Sequence, residues 1–523
     1  MDNLNEIILT TFGPDAKQVA GQQPLSVATL LVPSERFAEA AKALKLEGAA
    51  LAAEWAADET LFGRGFGVYA CFRKGPEYLI IKILVPLENP VFPSLTKKFP
   101  AAYRFERQIQ SLMGVTALGN PDTRPWIKHE DWPEQAWPLR KTFDASKRLP
   151  RVPGEYQWIR AEGEGVYEIP VGPVHAGIIE PGHFRFQAMG EDVLSLEERL
   201  GYVHKGIEKR FESMRLIEAS RLAARVSGDT TVAHSLAYSQ AVEAITDCAV
   251  PERALWLRAL FLERERIANH LGDIGAVCND VAFTFMLYQC MRLKEELLRT
   301  NLKLFGHRFM MDRIVPGGTA TDITAQGEQD IFAELTKLEK EFERLVIIYD
   351  ESASLQDRLR TTGILSHEKA VDLGVVGFIA RSSGVNVDCR KDHPFPPYDR
   401  IRVNPPELSA GDVSARAWVR VEEIRDSIRI IREILHTLPE GKILQPVGRS
   451  KPEQAGFAAV EGWRGEILYW VQAGPDGGIN RCMVRDPSSL NWLGLEQCIH
   501  GNIVPDFPVC NKSFNQSYSG HDL

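Results

Sequence analysis

The sequence lacks the local cysteine pairs that would give it a metal centre of its own. Its eight cysteines are scattered, and no two of them are separated by only two residues. Zinc, nickel and iron-sulfur centres are usually held by such closely spaced thiolates, so the chain offers none of these sites locally. Scattered single cysteines are usually small core residues, and we expect that role for all eight.

Long apolar runs and an excess of positive charge are also missing. The best apolar run, residues 78–87, contains Lys82 and is too short to cross a bilayer. The first 14 residues have no basic flank before an apolar core, so they do not resemble a secretory signal. The formal net charge of -9 disfavours nucleic-acid binding, which needs concentrated lysine and arginine. We therefore expect a cytoplasmic chain that binds no nucleic acid and reaches a membrane only through partners.

Length and composition indicate a multidomain protein with ordinary cores. The chain has 523 residues, of which 44% are hydrophobic and 25% are charged. Residues 1–145 are predicted to form an α+β domain. A helix is expected at 34–57, followed by two strands at 66–73 and 78–87. Residues 146–165, which carry Lys, Arg, Pro and Gly with little apolar pattern, are predicted to be a linker.

The rest of the chain, residues 166–523, is predicted to be a mainly α-helical bundle with small β elements. Apolar residues recur at three- and four-residue spacing in the segments 196–226, 231–248, 251–276, 281–304, 326–350 and 410–438. Near the end, residues 461–471 alternate like a strand, and a glycine-rich turn precedes a second strand at 479–484. The fold class is therefore an N-terminal α+β domain followed by a helical bundle domain.

One stretch concentrates the residue types of a functional site. Residues 172–186 contain glycines and prolines that spoil regular periodicity, together with His175, Glu180 and His183. A second stretch, residues 200–209, follows closely and contains His204 and Lys205. We expect this region to lead into a long helix and to lie at the site.

These two stretches resemble the opening signature of energy-converting (group 4) nickel-iron hydrogenase large subunits, and of the related quinone-site large subunit of respiratory complex I. Further segments resemble blocks of that family, in the family's order, at residues 263–271, 313–318, 381–390 and 461–466. Residues 105–107 and 137–143 resemble the small peripheral subunit of complex I. The chain is thus identified as a fusion of two subunits, an arrangement similar to that of hydrogenase-4 and formate hydrogenlyase.

The resemblance implies a catalytic shell. Glu180 matches the proton-relay glutamate of the hydrogenases, and His175 and His183 would lie beside it. Arg464 matches the arginine over the metal site. We expect Glu180 to be buried, because a buried carboxylate has a raised pKa and can pass protons.

The resemblance also implies partners. His204, Lys205 and His270 would lie near a 4Fe-4S cluster held by a partner small subunit and would tune its potential. A ferredoxin-like subunit and antiporter-like membrane subunits would complete the complex, on the cytoplasmic face of the inner membrane. Electron transfer of the NADH dehydrogenase and quinone oxidoreductase kind would be coupled to ion translocation.

The departures from the family pattern lie at the metal ligands. The four positions that carry thiolates in the hydrogenases hold Ser227, Thr230, Ser517 and Gly520. Hydroxyl groups and glycine do not replace soft ligands, so we expect the nickel-iron centre to be lost and the chain to bind no cofactor tightly. In complex I a tyrosine in the first of these loops donates to the quinone, and here Gly228 stands in its place. Asp229 and Tyr518 are the nearby polar residues that could substitute for it.

Two functions remain open from the sequence. The chain is either an oxidoreductase subunit with a pocket for quinone or another small oxidant, or a structural subunit that couples conformational change to membrane partners. In both cases we expect residues 513–523 to be ordered and to insert near Glu180 and Arg464, through ring burial and hydroxyl hydrogen bonds.

Overall fold

The computed structural model describes residues 3–19, 27–177 and 179–523. Ile178 of the stretch 172–186, and the first two residues of the chain, lie outside this description. The N-terminal part consists of α1 (Leu4–Phe12), β1 (Lys17–Gln18), β2 (Ala28–Leu31), α2 (Phe37–Leu46), β3 (Ala50–Asp58), β4 (Phe66–Lys74), β5 (Glu77–Val85), β6 (Val91–Pro93), α3 (Ala102–Met113) and β7 (Thr116–Leu118). Five of these strands form one sheet in the order β1-β2-β5-β4-β3, and β6 pairs with β7.

The helix predicted at residues 34–57 is wrong in its second half. Helix α2 ends at Leu46, and a turn at Gly48, whose φ is +83°, leads into strand β3. The alanines of β3 have high helix propensity, but pairing with β4 and burial in the core decide their conformation. The two strands predicted at 66–73 and 78–87 are confirmed as β4 and β5.

The middle of the chain begins with a small antiparallel sheet of β8 (Val166–Val171), β9 (His183–Met189) and β10 (Asp192–Arg199), followed by α4 (Ile207–Phe211) and α5 (Ser220–Ala223). The long helix predicted at residues 196–226 is therefore wrong. Residues 192–199 pair with β9, and Gly201 and Gly206 both have positive φ, which breaks the chain into turns. Residues 151–162 carry no regular secondary structure, as a linker would, although Tyr156 donates a hydrogen bond to Glu197 of β10.

The helical part contains α6 (Thr231–Thr246), α7 (Glu252–Asp280), α8 (Thr284–Phe305), β11 (Ile314–Val315), β12 (Gly318–Thr319), α9 (Ala325–Glu351), α10 (Ala353–Leu359), α11 (His367–Asp372), α12 (Gly377–Ser382), α13 (Cys389–Asp392) and α14 (Val413–Thr437). Five helices predicted from periodicity are confirmed as α6, α7, α8, α9 and α14. Helix α7 packs between α8 and α14, and it is buried on nearly all sides.

The last part consists of β13 (Ala455–Gly462), β14 (Gly465–Ala473), β15 (Ile479–Arg485), α15 (Ser488–Cys498), α16 (Phe507–Phe514) and α17 (Tyr518–Asp522). The strand predicted at residues 461–471 is confirmed over 465–471, which lie in β14, but residues 461–464 form the end of β13 and a tight turn, across which Gly462 pairs with Gly465. That turn carries Trp463 and Arg464. The strand predicted at 479–484 is confirmed as β15.

The N-terminal sheet and the three-stranded sheet β13-β14-β15 share one hydrophobic cluster. Trp55 and Tyr69 of the first sheet pack against Trp470 of the second, with ring centroids 5.6 and 4.8 Å away. Arg73 of β4 also donates to Glu466 of β14 at 2.7 Å. The two parts of the chain are therefore joined by buried apolar and charged contacts.

Seven of the eight cysteines are buried, and Cys248 is half-buried, so the expected core role is confirmed for those seven. Among the described residues, no helix combines the length and apolar character that crossing a membrane requires.

Candidate functional site

A polar cavity of about 300 Å³ lies where four separate segments meet. Its walls come from Ile179 and Glu180, from the loop of residues 227–229, from Arg464, and from residues 511–519 of the C-terminal segment. The cavity therefore brings together the first stretch singled out in the sequence, the two segments compared there with the hydrogenase ligand motifs, and the predicted arginine.

Arg464 and Asp229 form the charged centre of this cavity. Two guanidinium nitrogens of Arg464 each donate to one carboxylate oxygen of Asp229 at 2.7 Å. Its Nε donates to the carbonyl of Asn515 at 2.6 Å, and the guanidinium lies 3.9 Å from the Trp463 ring centroid. Desolvation raises the pKa of Asp229, but the charge and hydrogen bonds of Arg464 outweigh it and hold that pKa well below its usual value. This pair stays ionised at physiological pH.

The four residues that the sequence resemblance places at the hydrogenase thiolate positions are joined by hydrogen bonds. Ser227 Oγ lies 2.8 Å from Ser517 Oγ, although the two residues are 290 positions apart. Ser227 and Thr230 each donate to Asp229 at 2.9 Å. The amide of Gly520 donates to Ser517 Oγ at 2.9 Å. The hydroxyl groups are thus satisfied by one another and by Asp229.

Gly520 has no room for a side chain. A Cβ atom built there would lie 2.6 Å from Oδ2 of Asp486, closer than non-bonded atoms approach. Asp486 is held in place from behind, since its Oδ2 lies 3.0 Å from Nε2 of the fully buried His234. The other ring nitrogen of His234 is 3.0 Å from the hydroxyl of Tyr469. A carboxylate therefore occupies the space that a ligand side chain at position 520 would need.

Glu180 lies at the cavity, but the expectation that it is buried is wrong. The side chain is exposed, and the described residues of the loop 172–182 have no regular secondary structure that would enclose it. Its carboxylate accepts a hydrogen bond from the amide of Ser519 at 3.1 Å, which ties the loop to the C-terminal segment.

The two histidines expected beside Glu180 do not line the cavity. His175 Nε2 lies 2.9 Å from the carbonyl of Gly182, so the ring holds its own loop together. His183 packs against Trp158 with ring centroids 4.6 Å apart, because β9 turns its side chain toward residues 151–162. Burial, followed by the charge of Arg185, lowers the pKa of His183, so the ring is neutral at physiological pH.

The C-terminal segment is ordered, as predicted, and it lies at Glu180 and Arg464. The carboxylate of Asp522 accepts from the amides of Gly201 and Val203 at 2.9 and 3.0 Å. His204 Nδ1 lies 2.6 Å from the carbonyl of Asp522, and the Lys205 amide donates to the carbonyl of Leu523 at 2.7 Å. His204 and Lys205 thus bind the C-terminal segment, and their predicted role near a partner's cluster stays a prediction.

His270 is placed elsewhere, in the interior of the helical part. It is fully buried, and its Nε2 lies 2.7 Å from Glu423 of α14. Glu423 also accepts from Arg381 at 2.6 Å and from Arg266 at 3.4 Å. Burial lowers the pKa of His270, although Glu423 opposes this effect. The histidine belongs to a buried charge network, and a contact with a cluster in another chain stays a prediction.

Sequence reasoning missed Asp486 and Ser519. Asp486 lies 252 residues from His234, and no local motif links the two. The hydroxyl of Ser519 lies 3.3 Å from that of Ser517 and extends the hydroxyl cluster toward Glu180. Within the described parts of the chain, no group of three or more His, Cys, Asp and Glu side chains is arranged to hold a metal ion.

Comparison with known protein families gives two matches in one chain. Residues 30–149 match the family described as respiratory-chain NADH dehydrogenase, 30 Kd subunit. Residues 280–450 match the family described as respiratory-chain NADH dehydrogenase, 49 Kd subunit. The predicted fusion of a small peripheral subunit with a large subunit is thereby confirmed.

Individual relatives match most of the chain. Hydrogenase-4 component G of Escherichia coli (strain K12) is 31% identical over 471 residues, which are 89% of this chain and 82% of that protein. Formate hydrogenlyase subunit 5 of the same organism is 31% identical over 473 residues, 89% of this chain and 83% of that protein. NADH-quinone oxidoreductase subunit 4 of Thermus thermophilus is 29% identical over 397 residues, 70% of this chain and 96% of that protein. The chain therefore belongs to the family of large subunits shared by hydrogenase-4, formate hydrogenlyase and complex I.

Proposed function

We propose that the chain is the large subunit of a membrane-associated oxidoreductase complex of the hydrogenase-4 and complex I type, and that its cavity works without nickel. The proposed domains are residues 1–145, a linker at 146–165 and residues 166–523. The family matches at 30–149 and 280–450 support this division, since the first ends close to the proposed linker.

One observation carries the nickel-free proposal: the 2.8 Å hydrogen bond between Ser227 and Ser517. Nickel and low-valent iron are held by soft thiolates, and two hydroxyls that bond to each other offer no such donor. The Asp486 carboxylate fills the space beside Gly520, so a fourth ligand has no place there either. The residues present do not fit a nickel-iron centre.

The cavity suits a small polar oxidant, with a quinone headgroup as a candidate. Arg464 lies in the wall with its guanidinium paired to Asp229, so the wall presents an oriented ion pair to a carbonyl oxygen that is being reduced. The hydroxyls of Ser519, Ser517 and Ser227 are 3.3 and 2.8 Å apart in succession, and Ser227 reaches Asp229 at 2.9 Å. Each hydroxyl both donates and accepts, so this row can pass a proton along the cavity wall to a bound oxidant. Glu180, exposed at the same cavity, is the proposed group that takes the proton from solvent.

Partners are needed to supply electrons. We propose a cluster-bearing small subunit, a ferredoxin-like subunit and antiporter-like membrane subunits, on the cytoplasmic face of the inner membrane. Relatives of this chain are named as subunits of hydrogenase-4, formate hydrogenlyase and NADH-quinone oxidoreductase, which supports partners of this kind.

The alternative is a subunit that couples conformational change without redox chemistry. It is favoured by the self-contained pairing of the cavity's polar groups, above all Asp229 with Arg464. In that case the C-terminal segment holds the loop of Glu180 and the turn of Arg464 together, and conformational change passes through these contacts.

Turnover of the purified complex with quinone analogues and low-potential donors separates the two functions. We expect Glu180→Gln to lower proton-coupled turnover on the order of 10²-fold, because the amide keeps the shape but carries no exchangeable acid proton. Glu191→Gln, at an exposed turn between β9 and β10, is the matched control and should leave turnover unchanged. If the Glu180→Gln complex assembles and keeps the turnover of the wild type, the result would favour the subunit that couples conformational change without redox chemistry.

A further inference from the structure

A small cavity lies at the junction of β3, α3 and β15, and its wall shares no residue with that of the polar cavity. Its volume is about 30 Å³, and its wall includes Glu54 of β3, Gln108 of α3 and Arg485 of β15. The junction also holds a direct link between the two parts of the chain, because Arg481 Nε of β15 donates to the carbonyl of Ala56 at 3.0 Å.

Glu54 is a carboxyl group without a partner in this junction. Glu54 is 4% exposed, and neither of its carboxylate oxygens has a hydrogen-bond donor within reach among the described residues. The two nearby arginines both pair with other acids, although Nε of Arg485 has no hydrogen-bond partner among the described residues. Arg481 pairs with Glu208 of α4 at 3.0 Å, and Arg485 pairs with Glu466 of β14.

The remaining charged neighbour opposes ionisation. Glu106 of α3 is a second buried carboxyl, and it already accepts hydrogen bonds from Ser94, Thr96, Asn120 and the amide of Leu95. An ionised Glu54 would therefore add an uncompensated charge next to another acid. Burying such a charge costs far more than protonating the group at neutral pH.

We propose that Glu54 is a proton-carrying carboxylic acid that makes the junction of β3, α3 and β15 pH-dependent. In its neutral form the group adds no charge to the junction, and the cavity can hold about two water molecules that bond to it. Loss of the proton in alkaline solution places an unpaired charge in the junction and loosens the contact between the N-terminal sheet and β15.

The sign of the pH dependence follows from linkage. Burial, with a smaller contribution from Glu106, raises the pKa of Glu54 well above its usual value in the folded chain. Above about pH 4.3 the unfolded chain releases this proton while the folded chain keeps it. The contribution of Glu54 to the free energy of unfolding is therefore lost as the pH rises from that value toward the raised pKa that Glu54 has in the folded chain.

Thermal unfolding of the full chain between pH 5 and 9 tests the proposal with Glu54→Gln, which keeps the shape and cannot ionise. We expect its Tm to exceed that of the wild type by a margin that grows with pH, reaching about 4 °C near pH 8. Glu35→Gln, an exposed carboxylate of the same N-terminal part, is the control and should follow the wild type at every pH. Tm values of Glu54→Gln that follow the wild type throughout would overturn the proposal.

Two further measurements do not depend on the Tm of the variant. The infrared difference spectrum between wild type and Glu54→Gln at neutral pH should contain one protonated carboxyl band, and the absence of that band would contradict a proton on Glu54.

Hydrogen exchange of the β3 amides in the wild type, corrected for intrinsic rates, should show that local opening of β3 increases with pH. Protection of β3 that stays constant from pH 6 to 9 would equally refute the proposal, whether or not the variant folds.

Discussion

Replacing Glu423 by alanine is expected to lower the free energy of unfolding by about 3–5 kcal/mol, the cost of breaking a buried ion pair from one side. Glu423 is 1% exposed and binds Arg381, Arg266 and His270. Desolvation alone would raise its pKa, but the charge of Arg381 and the bond from His270 hold the pKa well below its usual value. Removing the carboxylate takes away the 2.6 Å acceptor of Arg381 and the partner of His270, and it leaves Arg381 with Glu461 as its remaining hydrogen-bonded carboxylate at 3.1 Å.

The matched control for this change is Glu422→Ala, one position earlier on the same helix. The Glu422 side chain is 44% exposed and pairs with Arg425, and such surface pairs contribute less than about 1 kcal/mol. Urea unfolding of both variants measures the difference. Equal midpoints would show that the buried network does not stabilise the helical part in the way its geometry indicates.

Replacing Trp470 by alanine is expected to cost about 3–5 kcal/mol of stability, as for other large buried aromatic residues. The residue is 1% exposed and packs on Trp55 and Tyr69 across the contact between the two sheets. Its indole nitrogen has no hydrogen-bond partner among the described residues, so the loss is one of packing. Hydrogen exchange should become faster in β3 and β4, because the sheet face that carries Trp55 and Tyr69 loses its contact with the Trp470 ring.

Trp418→Ala serves as the control for this prediction. Trp418 packs on Tyr349, with ring centroids 5.7 Å apart, between helices α14 and α9. That variant should also lose stability, but exchange in β3 and β4 should remain slow. Unchanged exchange in Trp470→Ala would mean that the N-terminal sheet folds independently of β13–β15.

The long helices were predictable because their apolar periodicity is strong and each is longer than 15 residues. The two failed helix predictions, at residues 34–57 and 196–226, have related causes. Both segments contain residues that favour helix locally, whereas pairing with the neighbouring strand of a hairpin determines the conformation of β3 and β10. In the second segment, Gly201 and Gly206 with positive φ also introduce turns after β10. Propensity carries no information about such partners.

The site was predicted in part. Family motifs indicated Glu180, Arg464, Asp229 and the C-terminal segment, and the structure brings all of these together. The exposure of Glu180 and the packing of His183 on Trp158 depend on how the loop of residues 172–182 lies on the sheet, which no motif encodes. Asp486 was not predicted for the same reason. Its role depends on its contact with Gly520, which lies elsewhere in the sequence and approaches it only in the folded chain.

The metal content of the purified chain tests the central claim most directly. The protein is expressed with nickel in the medium and with the maturation proteins of a nickel-iron hydrogenase, and nickel and iron are then measured by elemental analysis. The hydroxyl cluster of Ser227, Thr230 and Ser517, together with the filled space at Gly520, predicts only trace metal that does not increase with supplied nickel. One tightly held nickel per chain would contradict the account.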